Sequence, residues 1–234
     1  MIKDLQDIQK GEVSLFGGKA TNLGFLIQNN FNVPPGFCIS TEITTLTDDV
    51  KQEILAKFKN LTGNVSVRSS ATAEDAKNAS FAGQFDTILN VTEENLFRAI
   101  EQCWQSTTSE RAQAYNKENT PIHMAVIVQQ MIPADYAGVC FTVDPVEKKY
   151  VLIEIAEGLG EKLVSGEITP NSYFLSEKKV EKKNVQFDFD ENILGNITTT
   201  AKEIEKTYGA PQDIEFCLKD GELFILQSRP ITTL

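Results

Sequence analysis

Asp213-Ile-Glu-Phe-Cys-Leu-Lys-Asp-Gly-Glu-Leu-Phe-Ile-Leu-Gln-Ser-Arg229 holds two apolar runs, 213–218 and 222–229, on either side of Asp220-Gly221. An Asp-Gly pair between such runs is a strong hairpin signal. Glu215 and Gln227 interrupt the runs, and polar groups in buried strands need partners. A hard cation such as Mg2+ takes oxygen from both. Arg229, two residues past Gln227 and so on the same strand face, can answer phosphate oxygens. A structural Glu215–Arg229 ion pair is the alternative use. One metal site needs Glu215 and Gln227 on one face of the hairpin. A two-residue loop would set Glu215 opposite Leu226 and turn Gln227 to the other face. A three-residue loop over 219–221 would set Glu215 opposite Ile225, diagonal to Gln227. The shared site therefore predicts the three-residue loop, with Gly221 as the left-handed residue of a bulge. It also puts Cys217 and Ile225 beneath the site, and Ile214, Phe216, Phe224 and Leu226 on the opposite side.

Apolar runs ended by breakers recur upstream. Residues 124–132 are almost continuously apolar up to Pro133 and read as a buried central strand, and 138–143 and 150–156 repeat the pattern. The charged stretch 177–183 reads as a solvated turn, and a helix over 199–208 stops at Gly209. Nearer the start, a helix over 20–30 follows Gly17-Gly18, and Pro34-Pro35-Gly36 forces an extended segment. Thr47-Asp48-Asp49 caps a helix to residue 59, a strand covers 65–69, 71–80 is a polar loop, and 81–91 is a strand. Thr92 then caps a helix whose Leu96, Ile100, Cys103 and Trp104 form an apolar stripe. The class is α/β (α+β), a single domain over 1–234 with subdomains 1–121 and 122–234.

With 33 acidic against 22 basic residues the net charge is −11, which excludes a general binder of nucleic-acid backbones. Any basic site is local. Cys38, Cys103, Cys140 and Cys217 form no C-x-x-C pair and sit mostly in apolar runs, as free buried thiols do. No signal core or apolar stretch of membrane-spanning length is present, so a cytoplasmic location without membrane contact is expected.

Gly17-Gly18-Lys19 before a helix offers flexible amides, a positive helix end and an ammonium, all suited to phosphate. It is not a P-loop, since Val13 and Ala20 stand where that motif needs glycine and a hydroxyl. A helix-capping turn with a solvated lysine is the plainer alternative. Arg68 in Val65-Ser-Val-Arg68 either forms a structural ion pair or clamps phosphate with its planar fork. Gly83 in Phe81-Ala-Gly-Gln84 marks a close backbone approach or a bulge.

These segments together resemble the nucleotide domain of the phosphoenolpyruvate synthase and pyruvate phosphate dikinase family, which includes rifampin phosphotransferases and glucan water dikinases. The likeness rests on Gly17-Gly-Lys19 with Asn22-Leu-Gly24, Val33-Pro-Pro-Gly-Phe37, Val67-Arg-Ser-Ser-Ala-Thr-Ala-Glu-Asp75 and Ala79-Ser-Phe-Ala-Gly-Gln84 with Asp86-Thr87. It continues through Val128-Gln129 with Met131, Ala137-Gly-Val139 with Phe141-Thr-Val-Asp-Pro145, and Gly158-Leu-Gly-Glu161 with Val164-Ser-Gly166. It ends at Pro211-Gln-Asp-Ile-Glu215 and Leu226-Gln-Ser-Arg-Pro-Ile-Thr232.

The resemblance implies an ATP-grasp fold, two mixed α/β subdomains enclosing a nucleotide cleft. It implies an ATP-binding phosphotransferase that uses Mg2+ to pass the β,γ-diphosphate of ATP to a histidine on a separate domain or chain, releasing AMP. Lys19 and Arg68 would bind phosphates, Gly83 and Thr87 would lie at the phosphate end, and Gln129 beside the adenine. Glu215 and Gln227 would hold metal and phosphate, and Arg229 would stabilise the transferring group; Lys19, Arg68 and Arg229 form the catalytic set. The family's phosphohistidine and phosphoenolpyruvate-binding barrel domains find no counterpart in the sequence, so a histidine-bearing partner is implied. His123 lacks the glycine-rich setting of the family's phosphohistidine and reads as a strand-end residue. The chain departs from the family in Thr21, Gln130, Phe216 and a short 41–64 spacer. A catalytically silent nucleotide-binding or regulatory module is the alternative, and a scaffold without nucleotide function is a third.

Overall fold

A computed structural model describes residues 1–72, 87–106, 123–158, 160, 168–176 and 179–231. The chain forms two compact units, one from Met1–Gln28 with Pro34–Met131 and the other from Asn29–Val33 with Ile132–Leu234.

The first unit holds β1 (Ile2–Asp4), α1 (Val13–Gln28), β2 (Gly36–Ile39), α2 (Asp48–Phe58), β3 (Val65–Ala71), β4 (Thr87–Val91), α3 (Leu96–Gln105) and β5 (Met124–Gln130). Its sheet runs β1-β2-β5-β3-β4 with every pair antiparallel. Strand alternation divides the faces. Val65, Val67, Val126 and Val128 turn to a core shared with Ile54 of α2 and Leu96 and Ile100 of α3. Arg68 and Ser70 of β3 and Gln129 of β5 turn to the other face, where α1 lies with Phe16 and Ala20 against Ser70. The subdomain boundary expected after residue 121 is displaced: β5 is hydrogen-bonded between β2 and β3, so cutting there would remove a central strand from the sheet.

Thr47 caps α2 as expected, its hydroxyl accepting from Val50 N. Thr92 does not cap α3. Its N–H and hydroxyl both bond Asn95 Oδ1, closing a turn of their own, and the helix starts at Leu96. Within α1, Gly17, at φ 73° and ψ 172°, is non-helical and separates a short first helix from the one that follows Gly17-Gly18, which is the helix read from Ala20.

The second unit holds β6 (Tyr136–Phe141), β7 (Val151–Glu157), β8 (Asn171–Ser176), β9 (Lys179–Lys183), α4 (Glu191–Tyr208), β10 (Gln212–Lys219) and β11 (Glu222–Pro230). The sheet is an antiparallel run β11-β10-β6-β7-β8-β9. Gly209, at φ 73°, closes α4 in the left-handed conformation glycine tolerates. Ile197 and Ala201 of α4 meet Cys140, Ile214, Phe216, Leu223 and Ile225 on one sheet face. The charged stretch read as a turn contains β9, an edge strand paired with β8; lysines and glutamate on an edge are compatible with pairing on one side only. All four cysteines are free and buried. Among the described residues, no helix is long and apolar enough to cross a membrane.

Candidate functional site

In the first unit the site begins at the Gly17 kink. Ser70 closes it, donating its hydroxyl to Phe16 O at 2.7 Å while its Oγ accepts from Ala20 N at 3.1 Å. A Cβ on Gly17 would stand 2.1 Å from Ser70 O, so glycine is required both by the fit and by the positive φ. The kink leaves Lys19 in the first turn of the following helical segment, where its Nζ donates to Ser69 O at 3.2 Å. That carbonyl belongs to the residue after Arg68. Arg68 is 9% exposed and its Nη1 donates to Gln129 Oε1 at 3.3 Å. Thr87 is the direct cross-strand partner of Arg68 and shares its face. Lys19, Arg68, Thr87 and Gln129 are thus gathered along the middle of β3, between Ser66 and Ser69. Gly83 falls outside the described residues.

In the second unit the hairpin closes differently from the expected three-residue loop. Lys219 pairs with Glu222, leaving Asp220 (φ 51°) and Gly221 (φ 80°) as a two-residue turn with both φ positive. That parity alone would separate Glu215 from Gln227. A bulge reverses it: Phe216 pairs with Ile225, the next pair is Glu215 with Gln227, and Leu226 is the extra residue. Glu215 and Gln227 are therefore directly opposed and share a face. The two-residue turn itself exchanges two neighbours of the expected arrangement. Ile225 lies opposite Phe216 in the core and Phe224 is opposite Cys217, because that turn sets the register up to the bulge.

One pair further on, Asp213 lies opposite Arg229, which donates Nε at 2.8 Å and Nη2 at 2.6 Å to Asp213 Oδ2. The arginine's ion-pair partner is therefore Asp213, where the sequence offered Glu215. Burial pushes the Asp213 carboxyl up, with Arg229 opposing and Glu215 adding to the rise. The sequence signal was available: Asp213 is two residues from Glu215 on one strand and so shares its face. Glu154 was also missed. Strand pairing sets Gln227, Glu215, Val139, Glu154 and Ser172 in one row across five strands, all on one face. Burial raises the Glu154 carboxyl, with a hydrogen bond from Ser172 opposing.

A metal ion fits this second group on the chemistry of its donors. Glu215 and Gln227 supply hard oxygens from directly opposed positions, a spacing of about 5 Å between Cα atoms. No three His, Cys, Asp or Glu side chains converge to cage an ion among the described residues. Two protein oxygens completed by phosphate and water is the pattern of Mg2+ at nucleotides.

Residues 43–189 and 175–234 match the family described as pyruvate phosphate dikinase, AMP/ATP-binding domain. A protein of Methanothermobacter thermautotrophicus named "Probable phosphoenolpyruvate synthase" is 33% identical, over 98% of this chain and 46% of its own length. The rifampicin phosphotransferase of Bacillus cereus is 31% identical, over 100% of this chain and 36% of its own length. The chain thus spans less than half the length of these relatives. Both alignments run over 311 positions against 234 residues here, so the relatives carry insertions inside the matched span. Among solved structures, N5-carboxyaminoimidazole ribonucleotide synthetase in its ADP complex aligns at a TM-score of 0.50 and 10% identity, over 92% of this chain and 45% of that one. D-alanine-D-alanine ligase of Helicobacter pylori aligns at 0.50 and 13%, over 94% and 54%. These likenesses show an ATP-grasp fold.

Proposed function

This chain belongs to the pyruvate phosphate dikinase AMP/ATP-binding domain family, and from that premise we propose that it binds ATP with Mg2+ and transfers the β,γ-diphosphate to a histidine on a separate domain or chain. The observation that carries the reading is the bulged hairpin. A two-residue turn by itself would have scattered Glu215 and Gln227, yet the ladder shifts by one residue before it reaches Glu215, which reunites them and keeps Arg229 on their face.

In the step proposed, a histidine nitrogen forms a bond to the β-phosphorus while the bond from that phosphorus to the oxygen bridging the α-phosphate breaks. The bridging oxygen and its electron pair leave with AMP, and the diphosphate stays on the imidazole. Lys19 and Arg68 neutralise phosphate oxygens, and Thr87 adds a hydroxyl beside Arg68. Such catalysis is mainly positioning and electrostatics, which suits a site without a nucleophile of its own. Glu215 and Gln227 would hold Mg2+, which neutralises charge on the phosphates when bound. Arg229, oriented by Asp213, would meet the transferring group as charge spreads over its oxygens. Gly83 is assigned to the phosphate end by the family motif alone. Four free buried cysteines suit a reducing, cytoplasmic setting.

Calorimetric titration with ATP, in the presence and absence of Mg2+, followed by an assay for AMP with a histidine-bearing domain from a relative, tests the reading. Magnesium-dependent binding with AMP release supports it. Binding without AMP release would make the chain a silent nucleotide module, and no binding at all would remove the nucleotide function.

A further inference from the structure

Ser70 is fully buried on β3, two residues beyond Arg68 and on the same strand face. Its hydroxyl meets α1 at the kink. Phe16 O and Ala20 N are the i, i+4 pair that spans Gly17, and the one hydroxyl serves both, donating to the carbonyl at 2.7 Å and accepting from the amide at 3.1 Å. A side chain set into the helical ladder in this way is one cause of a sharp bend. The next two carbonyls are met from within α1, where Thr21 donates its hydroxyl to Gly17 O and to Gly18 O, each at 2.9 Å. Lys19 follows directly. It is tied to β3 on two sides, through the backbone of Ala20 at Ser70 and through its own Nζ at Ser69 O.

We propose that Ser70 is a positioning residue for the phosphate site: by fastening the kink to β3 it sets where the Lys19 ammonium stands relative to the Arg68 guanidinium. The inference rests on the assignment of Lys19 and Arg68 to phosphate made above. Two cations on separate elements act on one polyphosphate only at a fixed spacing, and a charge about 1 Å out of place gives up much of its effect. A hydroxyl suits this joint because it donates and accepts at once. Alanine does neither.

The test titrates the full chain, with Mg2+, against ATP, inorganic tripolyphosphate and adenosine, well below the melting temperature of each variant. Ser70→Ala is expected to weaken ATP and tripolyphosphate alike by about five-fold, less than the about ten-fold expected of Lys19→Ala, because the ammonium is displaced and not removed. Adenosine affinity should stay as in the wild type, and in a Lys19→Ala background the substitution should cost less than about two-fold further. Should Ser70→Ala fail to fold, Ser70→Cys, whose thiol donates and accepts only weakly, carries the same comparison with a loss of about three-fold. Unchanged tripolyphosphate affinity beside a lowered melting temperature, adenosine affinity falling as far as that for tripolyphosphate, or a loss that adds in full to that of Lys19→Ala would overturn the inference while leaving the nucleotide function standing. A wild type that binds neither ATP nor tripolyphosphate would overturn both.

Discussion

The two site-bearing regions reach their geometry by different routes. In the first unit β3 and β5, which carry Arg68 and Gln129, keep an unbroken ladder from Val65–Gln130 to Ala71–Met124, and the irregularities lie in the kink at Gly17 and in the neighbouring β3–β4 pairing, which shifts register between Val65 and Val67. In the second unit the irregularity is in the ladder itself, where Leu226 shifts the register between two functional residues. A regular strand hands its polar side chains to one face by alternation. A bulged strand does so only if the extra residue falls between the right pairs. Position in a regular element and position after a bulge are therefore different kinds of evidence about a site.

The largest effect should come from the kink. Gly17→Ala forces a Cβ into Ser70 O and a side chain into a backbone region reserved for glycine, and should cost about 3 kcal/mol or more in urea unfolding. A neutral result would mean that the first region, too, tolerates local adjustment.

Arg68→Ala should lower ATP affinity by about 100-fold and destabilise the apo chain by about 2 kcal/mol, because Gln129 Oε1 loses its partner in a buried site. Lys19→Ala, by contrast, should cut affinity about ten-fold with stability changed by less than about 0.5 kcal/mol. Melting curves beside calorimetry distinguish the two; equal destabilisation would show Lys19 to be as structural as Arg68.

In the second unit, Glu215→Gln should depress turnover more than nucleotide affinity, by about 100-fold against less than about ten-fold, since a metal ligand matters most as phosphate charge redistributes. Equal losses with an unaltered Mg2+ dependence would leave Glu215 a structural partner of its hairpin.

The smallest expected effect separates the regions by pH. Burial raises the Glu154 carboxyl above its ordinary 4.5, so the folded state holds that proton more tightly than the unfolded chain does. The stability this gives is present below 4.5 and is lost as pH rises through the folded value. Glu154→Gln should therefore show a smaller fall in urea midpoint than the wild type between about pH 4 and about pH 7. Asp213 has the same sign, its carboxyl also being raised chiefly by burial. A steeper fall in the variant would contradict the burial account.

What the sequence made legible follows the same division. Val65-Ser-Val-Arg68 and the apolar run into Gln129 placed both side chains on strands, and alternation alone gave them a face. The Asp-Gly hairpin was legible too, with Gly221 at positive φ; the positive φ of Asp220 belongs to the two-residue turn. The bulge was not: Leu226 is as apolar as Ile225 and suits either face, so nothing in its chemistry announces an extra residue. An unbroken ladder would have needed a three-residue loop to set Glu215 and Gln227 on one face; the two-residue turn reaches that placement through the bulge. Asp213 faces Arg229 only because the bulge shifts the register by one; an unbroken two-residue hairpin would set Gln212 there. Strand β9 was hidden by charge, which edge strands carry as readily as turns do.

The central claim is that the diphosphate leaves ATP as a unit. It is tested most directly by giving the chain Mg2+ and ATP labelled at the β-phosphorus, with a histidine-bearing domain from a relative, and following the label. The account predicts label on the histidine domain and one AMP released for each phosphohistidine formed. Label retained in ADP, or bound ATP left intact, would contradict it.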